Sequence, residues 1–352
     1  MENNKRIVYP DILRILAIFF VVSIHTIAEF WTSVPLKSAN WVGLVIINTI
    51  AHTAVPLFIM VSGMFMLSPQ KEKSIKDLYS KNILRLATAF IFWSMLYTAI
   101  PIVSNKISDR SFQINFTEVL QTFVEGKYHL WFLYMIVGLY IVTPILKKLI
   151  SDKKILEYFL IVWFVFCIFF NFSKLIPYIG EPIYKFIDTF KMSIALEYSG
   201  FYCLGYYLHN YKISKKVETL TYVIGVFSIL ATIFVTVYWS FKIEKPFDRY
   251  LEYLLPNTLF SSTALFLAIK RICNRKTFSE RKKITITALS KYSFGVYLCH
   301  VLILRSLSFF ILKAESLGIF VQFLILLILT TILSFAVSAI INKIPFLNKY
   351  IV

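Results

Sequence analysis

The sequence is short of charge. Charged residues fill 16% of its 352 positions, against about 25% in soluble domains. Acids are scarcest, 19 against 37 lysines and arginines, which leaves a net charge of +18. Cysteine is also sparse. Cys167, Cys203, Cys273 and Cys299 form no CxxC pair, which excludes a disulfide-stapled secreted scaffold and suggests no metal site. Three of the four lie in apolar runs and read as small buried hydrophobes. There is no internal repeat, low-complexity segment or long linker, so no large soluble domain is expected. No cleavable signal peptide is visible either. Lys5 and Arg6 precede the first apolar run, but that run is too long and has no small-residue cleavage site. What abounds is apolar: 58% hydrophobic residues, with 34 Phe, 6 Trp and 21 Tyr. A soluble fold of this length lacks the interior to hide that much apolar surface, which leaves a polytopic membrane protein.

Runs of about 17–25 apolar residues predict ten spans, over 7–28, 41–67, 83–103, 129–146, 155–171, 192–208, 219–240, 253–269, 288–312 and 317–342. The sixth carries Glu197, and the ninth carries Lys291 and Arg305. The expected fold is all-α, a single membrane-embedded bundle over 1–352 of about ten transmembrane helices. Ten spans put both termini on one side. Connections on that side hold 22 lysines and arginines, against 11 on the other. The positive-inside rule then makes the termini cytoplasmic and the protein multi-pass in the plasma (inner) membrane. The high net charge is therefore mostly a topology signal. The basic segment 270–287 has no interleaved aromatics, so no nucleic-acid partner is expected.

An ionisable group at mid-bilayer costs about 2.5–3.5 kcal/mol on insertion scales, so each needs a reason. The first span holds Asp11, Arg14, His25 and Glu29. At 100° per residue all four fall within about 60° of arc, a polar stripe that must face a cavity or a partner helix. Asp11 and Arg14 are one turn apart and can simply pair. His25 sits about 16 Å further along the axis and reads either as a packing residue or as a functional group. Span nine repeats the pattern with Ser293, Tyr297 and His300 on one face. Span two carries Asn48 and His52 one turn apart, then Pro56, which should kink it, and ends at Ser62-Gly63. Span four opens with Tyr128-His129-Leu130-Trp131, where His129 can be a solvated loop residue and Trp131 an interfacial anchor. Lys81 and Arg85, four residues apart at the entry to span three, are either topology charges or a clamp for a phosphate-bearing ligand.

Taken in order, these residues resemble the acyltransferase-3 family of integral membrane O-acyltransferases. The resemblance covers essentially the whole chain. It rests on Asp11, Arg14 and His25, on Val55-Pro56-Leu57-Phe58 with Ser62-Gly63, and on Lys81 with Arg85. It continues through His129-Leu130-Trp131-Phe132-Leu133-Tyr134, Leu139-Tyr140 with Pro144, Leu204-Gly205-Tyr206-Tyr207, and Ser293, Tyr297 and His300. The style is that of stand-alone members that acetylate cell-surface sugars, without the extra span and hydrolase-like domain of fused members. The resemblance implies acyl transfer from cytosolic acyl-CoA, usually acetyl-CoA as a donor substrate with no bound cofactor, to a hydroxyl of a surface polysaccharide or lipid-linked sugar. It makes His25 the candidate base, with Arg14, His300 and Tyr297 as further catalytic candidates and no metal. Lys81, Arg85, Arg14 and Ser62 are the candidate acyl-CoA ligands. His129, Trp131, Glu29 and His52 are the candidate acceptor ligands. A transporter or flippase for a lipid-linked sugar, or transfer of another acyl group such as succinyl, is the alternative. The bilayer is the remaining expected partner, and oligomeric state is not legible.

Overall fold

The computed structural model describes residues 7–69, 74–108, 113–176, 178, 180–192, 197–314 and 316–352. Lys5 and Arg6, counted above as topology charges, lie outside the described residues. The regular elements among the described residues are all helical. The principal helices are α1 (Tyr9–Ala28), α2 (Ala39–Ala51), α3 (Ala54–Met66), α4 (Leu84–Ser108), α5 (Phe116–Glu125), α6 (Trp131–Leu149) and α7 (Lys153–Trp163). They continue with α8 (Gly180–Asp188), α9 (Ser199–Asn210), α10 (Lys215–Ile243), α11 (Pro256–Arg275), α12 (Glu280–Ile311), α13 (Ile319–Lys343) and α14 (Pro345–Tyr350).

Eight stretches among the described residues are helical, long and apolar enough to cross a membrane. The sixth and eighth expected spans correspond to α9 and α11. Helix α9 has only 12 residues, and Glu197 lies before its start. Helix α11 has 20, but Ser261, Ser262 and a basic end make it less apolar. The connection over 104–128 is not plain loop: it contains α5, which buries no residue, and the stretch 172–191 contains α8. The ninth span, despite Lys291 and Arg305, is the 32-residue α12. The second span does break. Pro56 cannot donate a hydrogen bond, and its ring crowds the carbonyl four residues back, that of His52. Accordingly α2 ends at Ala51 and α3 begins at Ala54, with the Thr53 amide turning to the Ile50 carbonyl (3.2 Å).

Helix α10 has the inside-out pattern of a lipid-facing span. Its buried face is small or polar: Gly225, Ser228, Thr232, Thr236 and Ser240. Its large apolar residues, Val223, Phe227, Leu230 and Phe234, are exposed. Helix α13 does the same with Thr330, Ser334 and Ser338 inside and Ile328 and Ile332 outside. In lipid there is no gain from hiding leucine or phenylalanine, so small residues that let backbones approach take the interior. The closest approach is between α3 and α9. A Cβ on Gly63 would sit 1.9 Å from the Tyr202 carbonyl oxygen, and one on Gly205 would sit 2.0 Å from that of Met60.

Helix α1 is central, packing against α2, α3, α11, α12 and α13. Its two halves belong to two apolar clusters. Tyr9, Leu13 and Ala17 join the core of α3, α6 and α9, while Ile18, Val22 and Ile27 join that of α2, α12 and α13. All four cysteines are free and buried.

Candidate active site

The polar stripe of α1 lies against α12. The Ser290 hydroxyl donates to Asp11 Oδ1 (2.8 Å), and one helical stretch further on the His25 ring meets that of His300 at 5.1 Å. A third imidazole completes the group. His129 enters from the short 3-10 turn Tyr128–Leu130, with its ring 6.2 Å from His25 and 5.2 Å from His300. It is not a solvated loop residue, being only 2% exposed.

The hydrogen bonds fix part of the proton inventory. His300 Nδ1 lies 2.7 Å from the Tyr297 carbonyl and 3.1 Å from that of Val296. Two acceptors require a donor, so the neutral ring carries its proton on Nδ1 and leaves a lone pair on Nε2. That Nε2 is buried and makes no hydrogen bond, and neither nitrogen of His129 makes one. A buried polar atom left without a partner is costly, and three in one spot mark a place built for something other than packing. The Tyr297 hydroxyl donates to the His129 backbone carbonyl (2.6 Å), which commits its proton. Tyr97 was not legible in the sequence. Its ring packs edge-on to His129 at 5.1 Å, and its hydroxyl donates to the Leu298 carbonyl (2.8 Å), which ties α4 to α12. Glu29 lies near Tyr128, the residue before His129, and Tyr128 also meets Arg305.

Two cavities flank this group at opposite ends of α1. The first, of about 420 Å³, gathers Arg14, Ser62, Lys81, Arg85 and Tyr297, residues from four separated places in the chain. Lys291 adds a fourth cation that its position in an apolar run had marked only as an interruption. Arg14 is partly satisfied by Asp11 (3.9 Å) and lies over the Phe65 ring at 4.8 Å. Arg85 donates twice to the Val352 carbonyl (2.6 and 3.0 Å). Lys81 pairs with Asp77 (2.7 Å) and is largely exposed. Ser62 sits beside Tyr140, which shares the cavity wall. Four cations around one hollow make a site for an anion.

The second cavity, of about 780 Å³, is bordered by Ile24 and Ile27 of α1, on either side of His25 in sequence, and by His52. His52 donates through Nδ1 to the Asn48 carbonyl (2.8 Å) and stacks on Tyr253 at 5.7 Å. Trp131 stacks on Tyr253 from the α6 side at 5.9 Å and meets Tyr198 at 5.8 Å. Trp131 is thus part of an aromatic row at this cavity. Tyr253 was missed in the sequence because it opens an apolar run, where an aromatic reads as an anchor, and Tyr198 because it lies inside one, where an aromatic reads as packing.

A bundle of membrane-crossing helices around a histidine group, with a cationic hollow alongside, has the makings of a membrane-embedded group-transfer enzyme. An acyltransferase-domain family model matches residues 7–341. The chain belongs to the acyltransferase-3 family. An amino-acid racemase of Enterococcus faecalis is 26% identical over 228 residues, covering 58% of this chain and 29% of the relative. The chain therefore spans less than a third of that curated relative's length. No solved structure matches.

Proposed function

We propose that this membrane acyltransferase moves an acetyl group from acetyl-CoA to a hydroxyl of a cell-surface polysaccharide or lipid-linked sugar. The observation that carries this reading is the sequence of sites along α1: a cationic hollow, then the histidine group, then a hydroxyl-friendly cavity with aromatic walls. The phosphates of the donor bind Arg14, Lys81, Arg85 and Lys291, with Ser62 against its polar arm. The distance of about 16 Å from Arg14 to His25 suits an extended pantetheine arm. His25 takes the proton of the acceptor hydroxyl as its oxygen attacks the thioester carbonyl. The C–O bond forms, the C–S bond breaks, and the thiolate leaves and is protonated from the imidazolium. His300 packs its ring beside that of His25 and offers the substrate an Nε2 lone pair, which can only accept while the ring is neutral. With the Tyr297 proton committed, Tyr297 positions His129 and the oxyanion is met by other donors. The acceptor approaches by His52, Trp131 and Tyr253. The termini face the cytoplasm, as the basic connections suggest, and the donor hollow opens there.

The test uses membranes containing wild-type or His25→Ala protein at matched level, with radiolabelled acetyl-CoA. Label should appear in the glycan with wild type and fall about a hundredfold or more in the variant. Full transfer by the variant would sink the mechanism. Movement of unlabelled sugar without acetylation would favour a flippase, and preference for succinyl-CoA would change the acyl group alone.

A further inference from the structure

The larger cavity has a net acidic lining. Glu197, Asp248 and Glu252 line it, and none of the three carboxylates makes an ion pair among the described residues. They approach from two connections: Glu197 and Glu252 lie near Tyr198, and Asp248 lies near His52. The lining also holds two cations, Lys174 over the Tyr184 ring of the same wall at 3.7 Å and Arg249 over that of Phe247 at 5.9 Å, which leaves the three carboxylates in excess by one charge. Independently, Asn48 lines the same cavity, is 7% exposed, and has no hydrogen-bond partner for its side-chain oxygen. His52 spends its Nδ1 proton on a backbone carbonyl, so its other nitrogen accepts while the ring is neutral. The lining is therefore net acidic, with Asn48 and His52 adding acceptors beside the hydroxyls of Thr32, Tyr184, Tyr198 and Tyr253. Its complement is a ligand rich in donors, and the carboxylates favour one that is positively charged.

We propose that this cavity selects an acceptor carrying a free ammonium group beside its hydroxyls, such as an amino sugar that is not N-acylated, and turns away acidic sugars. The inference rests on the acyl-transfer reading for calling the ligand an acceptor. The complementarity itself does not depend on acetyl-CoA. The ammonium sits among Glu197, Asp248 and Glu252, and the ring lies along the aromatic row of Tyr253 and Trp131. This leaves a hydroxyl to face the histidine group.

Binding is measured on detergent-purified protein without acetyl-CoA, by quenching of tryptophan fluorescence, since Trp31 borders the cavity. The probes are glucosamine, N-acetylglucosamine and glucuronate. Glucosamine should bind about five- to tenfold more tightly than N-acetylglucosamine at low salt, and glucuronate most weakly. Raising the ionic strength should shrink that ratio, because the carboxylates are exposed to solvent. In a Glu197→Gln, Asp248→Asn, Glu252→Gln variant the ratio should fall to within about twofold of unity. Equal binding of glucosamine and N-acetylglucosamine by the wild type, or a ratio insensitive to salt, would overturn the proposal even if labelled acetyl transfer succeeds. Failure of acetyl transfer with the preference intact would overturn the functional reading and leave the ligand class standing.

Discussion

The two cavities lie toward opposite ends of helix α1 and have opposite chemistry. The smaller is walled by Arg14, Lys81, Arg85 and Lys291, and the larger by carboxylates, an amide and stacked aromatic rings. A channel or carrier that passes one solute needs walls of one character along its path. Opposite characters on either side of a reacting group suit two different substrates that meet once. Tyr297 links the cationic cavity to the histidine group: it lines that cavity and its hydroxyl holds the backbone of His129.

The comparison breaks most severely if the scaffold is lost. Gly205→Val should abolish folded protein, because the new side chain would meet the Met60 backbone and not a movable side-chain tip. The yield of monodisperse protein in detergent reads this, and a normal yield would contradict the close α3–α9 crossing. A more selective break separates the cavities. Arg14→Ala should weaken acetyl-CoA affinity about ten- to a hundredfold, the scale of a charged hydrogen bond of about 1.5–3 kcal/mol, with acceptor affinity little changed. Tyr253→Ala should do the reverse. Titrations of both substrates against both variants form the check, and parallel losses would mean one shared site. The smallest effect belongs to Lys81→Ala. Its ammonium is 74% exposed and already paired with Asp77, so donor affinity should change by no more than about threefold, less at high salt.

Much of this site was legible along single helices and little of it between them. Helical periodicity put Asp11, Arg14, His25 and Glu29 on one face, and the first two and His25 do meet α12. The same arithmetic spaced Ser293, Tyr297 and His300. It could not say that His25, His129 and His300 converge, since no local pattern relates three distant segments. His129 was ambiguous because a polar residue before an apolar run looks alike whether the turn is solvated or folded inward. Asn48 and His52 were visible as a pair one turn apart. Their cavity was not, because Asp248, Glu252 and Tyr253 lie in a connection where charged residues are unremarkable. The fold was easier to read. Long apolar runs report spans directly, and the two expected spans that lack the length or apolarity of the rest are α9 and α11. In those two, packing against neighbours replaces what apolarity alone does not supply.

Helix α9 has a consequence for how the protein is made. At 12 residues it is about 18 Å long, well short of a hydrocarbon core of about 30 Å. Released alone into lipid, it would leave its flanking polar backbone without water or partners. Its place is secured chiefly by the crossing with α3, where Gly63 and Gly205 let the two backbones touch, with further packing on α6 and α7. Those glycines are separated by well over a hundred residues of synthesis. The early helices must therefore wait in the insertion machinery, or keep a groove open in the bilayer, until the later segment emerges. Biogenesis of this chain is a timed docking of one half onto the other, and its Ser62-Gly63 and Leu204-Gly205 motifs are assembly signals as much as elements of the finished site.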